Sequence, residues 1–383
     1  MAKRYGQSYF STNGFRVGCS ALLLDQALYD LLVGNRQEAL QYFADVFIGG
    51  NRLPHIYSIT IDRYLTRGAG MAQINFHCDG LPAFVTGNAE VVISAGLRFG
   101  SFTGSQIIFR GIIDEAKGPN KGDSAATIDA YDLGYLLGKR SPAAQVVSGS
   151  LGSWLNSELA SLGLSDTRLV TRGSDVVLNR SLSIRGYQNI LDAANTLASG
   201  TTVHYLFQSG QGELVLLDPA YFETAQPLFV LSRSLQAKPV TELFGRYNRV
   251  PYTNYTGYAR DDVTYLVTIN ADGSSTIHTS GTSSSPMISD IYNDMADQAN
   301  NGILTSSSMQ NPVPQSKEAF DILAASFCYE SQRRKVDFET TFNPFVDIGG
   351  TCEYDGSGYF VGGLRHQIHV ESFWKSAWKL WEI

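Results

Sequence analysis

From residue 53 onward the apolar side chains recur every second residue, and this limits what the chain can fold into more than any other feature. His55-Ile56-Tyr57-Ser58-Ile59-Thr60-Ile61 and Ala72-Gln73-Ile74-Asn75-Phe76 alternate as half-buried strands do. Residues 89–94, 106–117 and 125–130 continue the series, and 133–138 reads as a short helix ending near Arg140-Ser141-Pro142. Five short strands with glycine turns predict a small barrel or sandwich over 51–140.

Composition agrees. Of 383 residues only 17% are charged, while Gly (37), Tyr (20) and Phe (20) are plentiful, which favours short strands and tight turns over long helices. The length predicts two to four domains. The net charge of −7 argues against a protein that grips DNA through its phosphates; DNA near this chain would pass rather than bind. Cys19, Cys78, Cys328 and Cys352 are scattered with no C-x-x-C spacing, as reduced, partly buried thiols are. The first residues carry no apolar signal region, and no apolar run reaches about 18 residues, so neither a secretion signal nor stable membrane insertion is expected.

Four regions follow from the pattern. Residues 1–50 read as an N-terminal helical arm, with Leu22, Leu23, Leu24, Leu28, Leu31, Leu32, Leu40, Phe43 and Phe47 at helical spacing and Gly34-Asn35 as a break; the arm either packs or docks. Residues 51–140 form the first β-barrel domain. Residues 141–235 predict a small α+β domain, with helices at 151–162 and 190–197 and a hairpin of 203–207 with 213–217. Residues 236–383 predict a second β-barrel domain, interrupted by an irregular loop and helix insertion at about 273–330. Within it 262–270 is a strand, 273–286 an exposed Ser/Thr/Gly loop, 288–300 a helix candidate and 316–327 a helix. The end is strand-rich, at 335–340, 351–354, 359–370 and 376–381.

Reactive side chains occur in several groupings. His366 and His369 stand at i and i+3 on a strand, so they face opposite sides and do not chelate one metal; His77-Cys78 likewise points two ways. Asp114-Glu115, Asp261-Asp262 and Asp129 with Asp132 are carboxylate pairs of the kind glycoside hydrolysis uses, but 36 acidic residues offer such pairs by chance. Gly149-Ser150-Leu151-Gly152-Ser153 and Gly356-Ser357-Gly358 miss the nucleophile-elbow pattern. Gln208-Ser209-Gly210-Gln211-Gly212 lacks the helix and lysine of a phosphate cradle and reads as a hairpin turn. Asn179 and Asn254 head glycosylation sequons that mean nothing without secretion. Trp374, Trp378 and Trp381 would suit either a sugar platform or, as terminal-hairpin aromatics more often do, a core or subunit interface. No catalytic, cofactor-binding or metal-ligating residue is assigned, and no cofactor is expected.

The sequence also echoes itself. Pro82-Ala83-Phe84-Val85-Thr86-Gly87-Asn88-Ala89-Glu90 followed by Ile108-Phe109-Arg110-Gly111-Ile112 matches Pro344-Phe345-Val346-Asp347-Ile348-Gly349-Gly350-Thr351-Cys352-Glu353 followed by Phe360-Val361-Gly362-Gly363-Leu364. Such an echo means either two related barrels or a chance likeness of hairpins. The order of elements, the strand Ile108-Phe109-Arg110-Gly111-Ile112-Ile113, the stretch 125–138 and the ending 349–383 with Gly358-Tyr359-Phe360-Val361-Gly362-Gly363 resemble the phage baseplate hub and late-control D-type tail proteins over 53–383. That resemblance implies a mainly β chain of two tail-tube-like barrels plus an α+β insertion. It implies a structural virion protein, not an enzyme: a homotrimeric, pseudo-six-fold hub in the tail or baseplate, assembled in the host cytoplasm. Its partners would be the tail tube protein, a central spike or tip protein and other baseplate proteins, with DNA only in transit. The competing readings are a receptor- or carbohydrate-binding tail-tip protein and, behind it, a hydrolase.

Overall fold

The alternating segments do become strands, and most of them join one sheet. The computed structural model describes residues 41–383 except 68, 100–101, 122, 143–145, 165–166, 175, 184–188, 201, 232–236, 241–245, 254–263, 270–274, 281–287, 312, 315 and 371–373. In chain order the first strands are β1 (Gln41–Ile48), β2 (Asn51–Arg52), β3 (Ile56–Tyr64), β4 (Met71–His77), β5 (Glu90–Phe99), β6 (Phe102–Lys117) and β7 (Ala125–Tyr131). Next come α1 (Leu133–Lys139), β8 (Val146–Ser150), α2 (Leu151–Ser161), β9 (Leu169–Arg172), β10 (Val177–Ser183), α3 (Ile190–Ala198), β11 (Tyr205–Gln208), β12 (Leu214–Leu217) and α4 (Tyr221–Thr224). After β13 (Phe229–Leu231) and β14 (Ala237–Val240) follow β15 (Arg249–Thr253), β16 (Thr264–Ile269), β17 (Ser275–Ser280), β18 (Ser289–Asn293), α5 (Met295–Asn301), β19 (Met309–Gln310) and α6 (Lys317–Gln332). The chain ends with β20 (Lys335–Thr341), β21 (Thr351–Tyr354), β22 (Ser357–His369) and β23 (Trp374–Glu382).

Thirteen strands form the main sheet, in the order β14-β20-β23-β22-β3-β4-β7-β6-β5-β1-β2, with β21 on β22 and β13 on β21. Ile59, Ile61, Ile74, Phe76, Val91, Ile93, Ile108, Ile113, Ile128 and Val46 enter one core drawn from β3, β4, β5, β6, β7 and β1. Among the described residues no helix contributes to that core. A second core gathers Val336, Phe338, Cys352, Phe360, Leu364, Trp378 and Leu380 from the other half, with Phe207, Val215 and Leu217. The expected mainly β class with an α+β insertion is what forms.

The hairpin β11–β12 explains how the insertion is held. All eight of its strand residues are buried. Tyr205, Phe207, Val215 and Leu217 face the second core, while Leu206, Leu214 and Leu216 face a third core of α1, α2 and α3 built on Leu137, Leu151, Trp154, Leu155, Ile190 and Leu197. The segment between β14 and β20 has its own smaller cluster of Val250, Tyr252, Phe320, Ala324 and Cys328.

The two stretches of the echo lie in units of the same strand plan, a structural duplication in a different alignment from the one the sequence suggests. Residues 81–90 and 342–351 run through the same succession of turns. Each turn has one residue of positive φ at the same place, Asn88 at 65° and Gly349 at 71°. Three backbone hydrogen bonds recur: Asn88 N to Ile113 O, Ala89 N to Thr86 O and Ile113 N to Ala89 O in the first, Gly349 N to Val361 O, Gly350 N to Asp347 O and Val361 N to Gly350 O in the second. A bulge then follows, at Ile113/Glu115 against β7 and at Val361/Gly363 against β23. Further pairings correspond strand for strand, β4 with β7 and β3 as β20 with β23 and β14. The repeat is therefore β3-β4-turn-β5-β6-β7, matched by β14-β20-turn-β21-β22-β23.

Several sequence expectations need correction. The helical reading of residues 1–50 fails where it can be seen: Gln41–Ile48 is a strand paired along its whole length with β5, and the remainder, 1–40 with Cys19, lies outside the described residues. The edge of β5 supplied hydrogen-bond partners that local spacing does not reveal. In the echo, the turn hydrogen bonds match Ile112-Ile113 to Phe360-Val361, four residues beyond the sequence alignment, and Pro82 and Pro344 fall one position out of step. Apolar-apolar-x-Gly recurs because β6 has a second bulge, at Ile93/Ser94, which buries Ile108 and Phe109 in succession. The helix candidate at 288–300 splits into β18 and α5, and the expected loop at 273–286 contains β17, paired with β16.

The two positive-φ positions make a test. Gly349→Ala places a Cβ in the left-handed region and 3.0 Å from Phe207 Cζ, and should cost about 1–2 kcal/mol in a urea melt. Asn88→Gly keeps the turn and should shift stability by less than about 0.5 kcal/mol. Equal losses would show that the turns are not under the same constraint.

A polar seam as the candidate functional site

One group of buried polar side chains, Arg63, Asp132, Gln208 and Ser209, lies where the first repeat, the second repeat and the β11–β12 hairpin meet. Gln208 ends β11, and its carboxamide bridges the start of α1 and strand β6: Oε1 accepts from Leu133 N at 2.5 Å and Nε2 donates to Arg110 O at 2.7 Å. Two residues on, Gly210 N donates to Asp347 Oδ2 at 2.7 Å. A side chain at 210 would press a Cβ to 3.0 Å from Ile108 O, so the hairpin tip can lie this close to β6 only as glycine. Arg172 Nη1 donates to Gly349 O at 3.1 Å from the other side of the hairpin sheet.

Asp347 lies in the duplicated turn, where the first repeat has Thr86. Its Oδ1 meets Arg63 Nη2 at 2.6 Å and also accepts from Ile348 N at 2.7 Å. Arg63 stands on β3, opposite Leu364 of β22, so the ion pair straddles the junction between repeats. Its side chain is only 3% exposed, while that of Asp347 is 30% exposed. Beside it Asp132 caps α1: Oδ1 accepts from Gly134 N at 3.0 Å and Oδ2 from Gly70 N at 2.6 Å. Burial raises the Asp132 carboxyl to about 7, against the opposing pull of the Gly70 and Gly134 hydrogen bonds and the Arg63 charge. On β22, His366 is fully buried and its Nδ1 lies 2.8 Å from Ser376 Oγ. Burial, with Arg63 nearby, lowers its pKa to about 3.

These two groups pull stability in opposite directions with pH. Asp132 has a folded pKa above the roughly 3.9 of the unfolded chain, so its contribution falls as pH rises from about 4 to about 7. His366 has a folded pKa below the roughly 6.5 of the unfolded chain, so its contribution rises with pH from about 3 to about 6.5. Over pH 4–6.5 they offset each other. Asp132→Asn should remove the falling part, so that denaturation midpoints climb with pH more steeply than in the parent. An unchanged slope would mean that Asp132 is ionised throughout the range.

The residues singled out from sequence do not converge on a reaction centre. His366 is buried and His369 exposed, on opposite sides of β22 as the strand period requires. His77 is exposed at the end of β4 with its Nδ1 3.1 Å from Ser124 Oγ, and Cys78 is half-buried beside it. Asp114 takes the Tyr135 hydroxyl at 2.8 Å, and Glu115 takes Lys117 Nζ at 2.9 Å. Asp129 takes Gln73, and Asp132 is bound to helix and turn amides, so that pair is divided too. Glu115 and Asp129 are cross-strand partners on an open face, a proximity not visible in sequence. Ser150 caps α2, and the Gln208–Gly212 segment is a hairpin turn. Asp261, Asp262 and Asn254 lie outside the described residues. Trp378 and Trp381 belong to the second core, and Trp374 packs on the first, stacked at 5.6 Å on Tyr42. Of the residues that organise the seam, Gln208 showed in the sequence only as the start of a hairpin turn and Asp347 only through its place in the echo, while Arg63 carried no signal.

No protein-family model matches the chain, and no curated protein sequence matches it. Among solved structures it is similar to the tail protein from Neisseria meningitidis MC58, with a TM-score of 0.60 and 13% identity over 89% of this chain and 96% of that one. It is similar to the 43 kDa tail protein of prophage MuSo2 from Shewanella oneidensis, with a TM-score of 0.59 and 12% identity over 88% of this chain and 97% of that one. A chain of the Francisella PdpA-VgrG complex matches at a TM-score of 0.50 and 9% identity over 95% of this chain, which spans 62% of the VgrG-complex chain. The fold is thus that of phage and prophage tail proteins, the class that the sequence resembles. No helix among the described residues is long and apolar enough to cross a membrane.

Proposed function

We propose that this chain is a structural component of a phage-type tail: a baseplate hub, with no catalytic role, that forms a homotrimeric ring. In this reading three copies present six repeats, matching a six-fold tail tube on one face and a three-fold spike or tip on the other, with other baseplate proteins around them. The observation that carries it is the duplication. A chain holding two copies of one β unit side by side in one sheet is what a three-fold object needs in order to offer six similar contacts. The likeness in fold to tail proteins supports the same reading. Location in the virion tail, assembly in the host cytoplasm and passage of DNA through the ring, without tight binding, belong to this proposal; the net charge of −7 suits passage.

The receptor-binding alternative drew on the terminal tryptophans as a sugar platform, and their packing into the two cores removes that ground. The test is the mass and symmetry of the purified protein, by mass photometry and negative-stain imaging. Particles near three times 41.9 kDa with a central hole are expected. A monomer at every concentration and in the presence of tube protein would overturn the reading.

A further inference from the structure

The duplication lets one junction be read from another. Within the chain, the second repeat joins the first by β22 against β3, antiparallel, from Gly363 opposite Tyr64 to His369 opposite Ser58. The counterpart of β3 in the second repeat is β14, since β14 lies on β20 as β3 lies on β4. The counterpart of the post-bulge part of β22, 363–369, is 115–121, the last three residues of β6 and the four after them, since both follow the same bulge. Among the described residues β14 ends the sheet path, and residues 115–117 pair only with β7, the β5 ladder stopping at Ile112. Among the described residues the sheet therefore offers the two complementary halves of a junction the chain already makes internally.

We propose that the edge of β14 left open among the described residues pairs antiparallel with residues 117–120 of a second copy, at and just beyond the end of β6, with Val240 opposite Lys117. This rests on the homotrimeric reading and specifies its contact. The register follows from the internal junction. Matching the β7 and β23 ladders makes Val240 the equivalent of Asp62 and Lys117 the equivalent of Arg365, and Asp62 lies opposite Arg365. That internal pair carries an ion pair, Arg365 Nε to Asp62 Oδ1 at 3.6 Å. A head-to-tail contact of unlike edges closes into a ring when its rotation permits.

The hydrogen-bonding parity adds a detail. Phe342 N bonds Trp374 O and Glu382 N bonds Arg334 O, so even-numbered residues of β20 face β23 and odd-numbered ones face β14. Asp337 and Lys335 oppose Lys238 and Val240, which leaves Ala237 and Pro239 directed to the free edge. Proline is tolerated in sheets on such an edge. Its missing N–H makes the junction between copies poorer by one hydrogen bond than β3 with β22, as suits a contact between finished subunits.

Val240 and Lys117 would form a non-hydrogen-bonded pair, with Cα atoms about 4.5 Å apart, close enough for a disulfide. The experiment is oxidation of the Lys117→Cys/Val240→Cys variant, read on a non-reducing denaturing gel. Covalent dimers and trimers are expected. Neither single variant, the parent chain, nor Lys117→Cys/Ala237→Cys, whose positions would lie three residues out of register, should give them. A trimer by mass with no cross-link overturns the junction and leaves the ring reading intact; a monomer with no cross-link overturns both. If the double variant does not fold, hydrogen exchange on the parent decides: the Gly118 amide, which the register aims at the Pro239 carbonyl, should exchange at least tenfold more slowly in the oligomer than in dilute monomer, and equal rates would overturn the pairing.

Discussion

Arg63→Ala should be among the most damaging single substitutions in the described part of the chain. It removes the only cation bonded to Asp347 among the described residues and leaves that carboxylate facing the Gly210 and Ile348 amides alone. Breaking a buried ion pair by deleting one partner costs about 3–5 kcal/mol; because Asp347 is 30% exposed and can draw on water, about 3 kcal/mol is expected. The loss reaches further than the pair. Gly70 lies over the Arg63 stem so closely that a Cβ there would sit 2.6 Å from Arg63 Cγ, and truncation leaves that wall unsupported. The charge also helps to keep Asp132 ionisable and His366 neutral, so the variant should carry a more strongly raised Asp132 and a less depressed His366. Arg63→Met restores volume without charge and separates the two effects. Urea denaturation followed by tryptophan fluorescence checks the magnitude; a loss below about 0.5 kcal/mol would show that the pair contributes no more than a surface one.

Trp378→Ala should cost as much or more, for a different reason. Its side chain is 1% exposed, stands between Phe338 on β20 and Leu364 on β22, and stacks on Phe338 with centroids 5.6 Å apart. Removing a fully buried tryptophan leaves a cavity that three paired strands cannot close, at a cost of about 3–5 kcal/mol. Trp374→Ala, at a half-buried site on the first core, should cost about 1–2 kcal/mol. Differential scanning calorimetry on the pair decides the matter. Equal losses would mean that the terminal aromatics share a role outside the cores.

The strands with one buried face were legible because their period is two: Ile59 and Ile61, or Ala72, Ile74 and Phe76, declare both the element and its inner side. The helices α1, α2, α3 and α6 showed their stripes in the same way. What stayed hidden depended on partners distant in sequence. Gln41–Ile48 has Phe43 and Phe47 at a helical interval, and only the edge of β5 makes it a strand. The hairpin β11–β12 was visible, but that both its faces would be buried, and its tip bonded to two repeats, was not. The duplication showed in Phe84-Val85 and Phe345-Val346, yet its strand register needed the backbone hydrogen bonds of the turn. Arg63 reads in sequence as a polar residue on a strand, and nothing local marks a partner as far along the chain as Asp347.

The junction of β3 with β22 also governs the timing of synthesis. Tyr64 leaves the ribosome 299 residues before Gly363, its partner. At about 5–20 residues per second, β3 waits for about 15–60 s with one edge unpaired. During that interval the N-terminal half presents a row of free amides and carbonyls beside Ile59 and Ile61, the kind of template on which nascent chains aggregate. Asp62 and Arg63, an acid and a base side by side near the end of that edge, would discourage a wrong strand from settling there until the right one arrives.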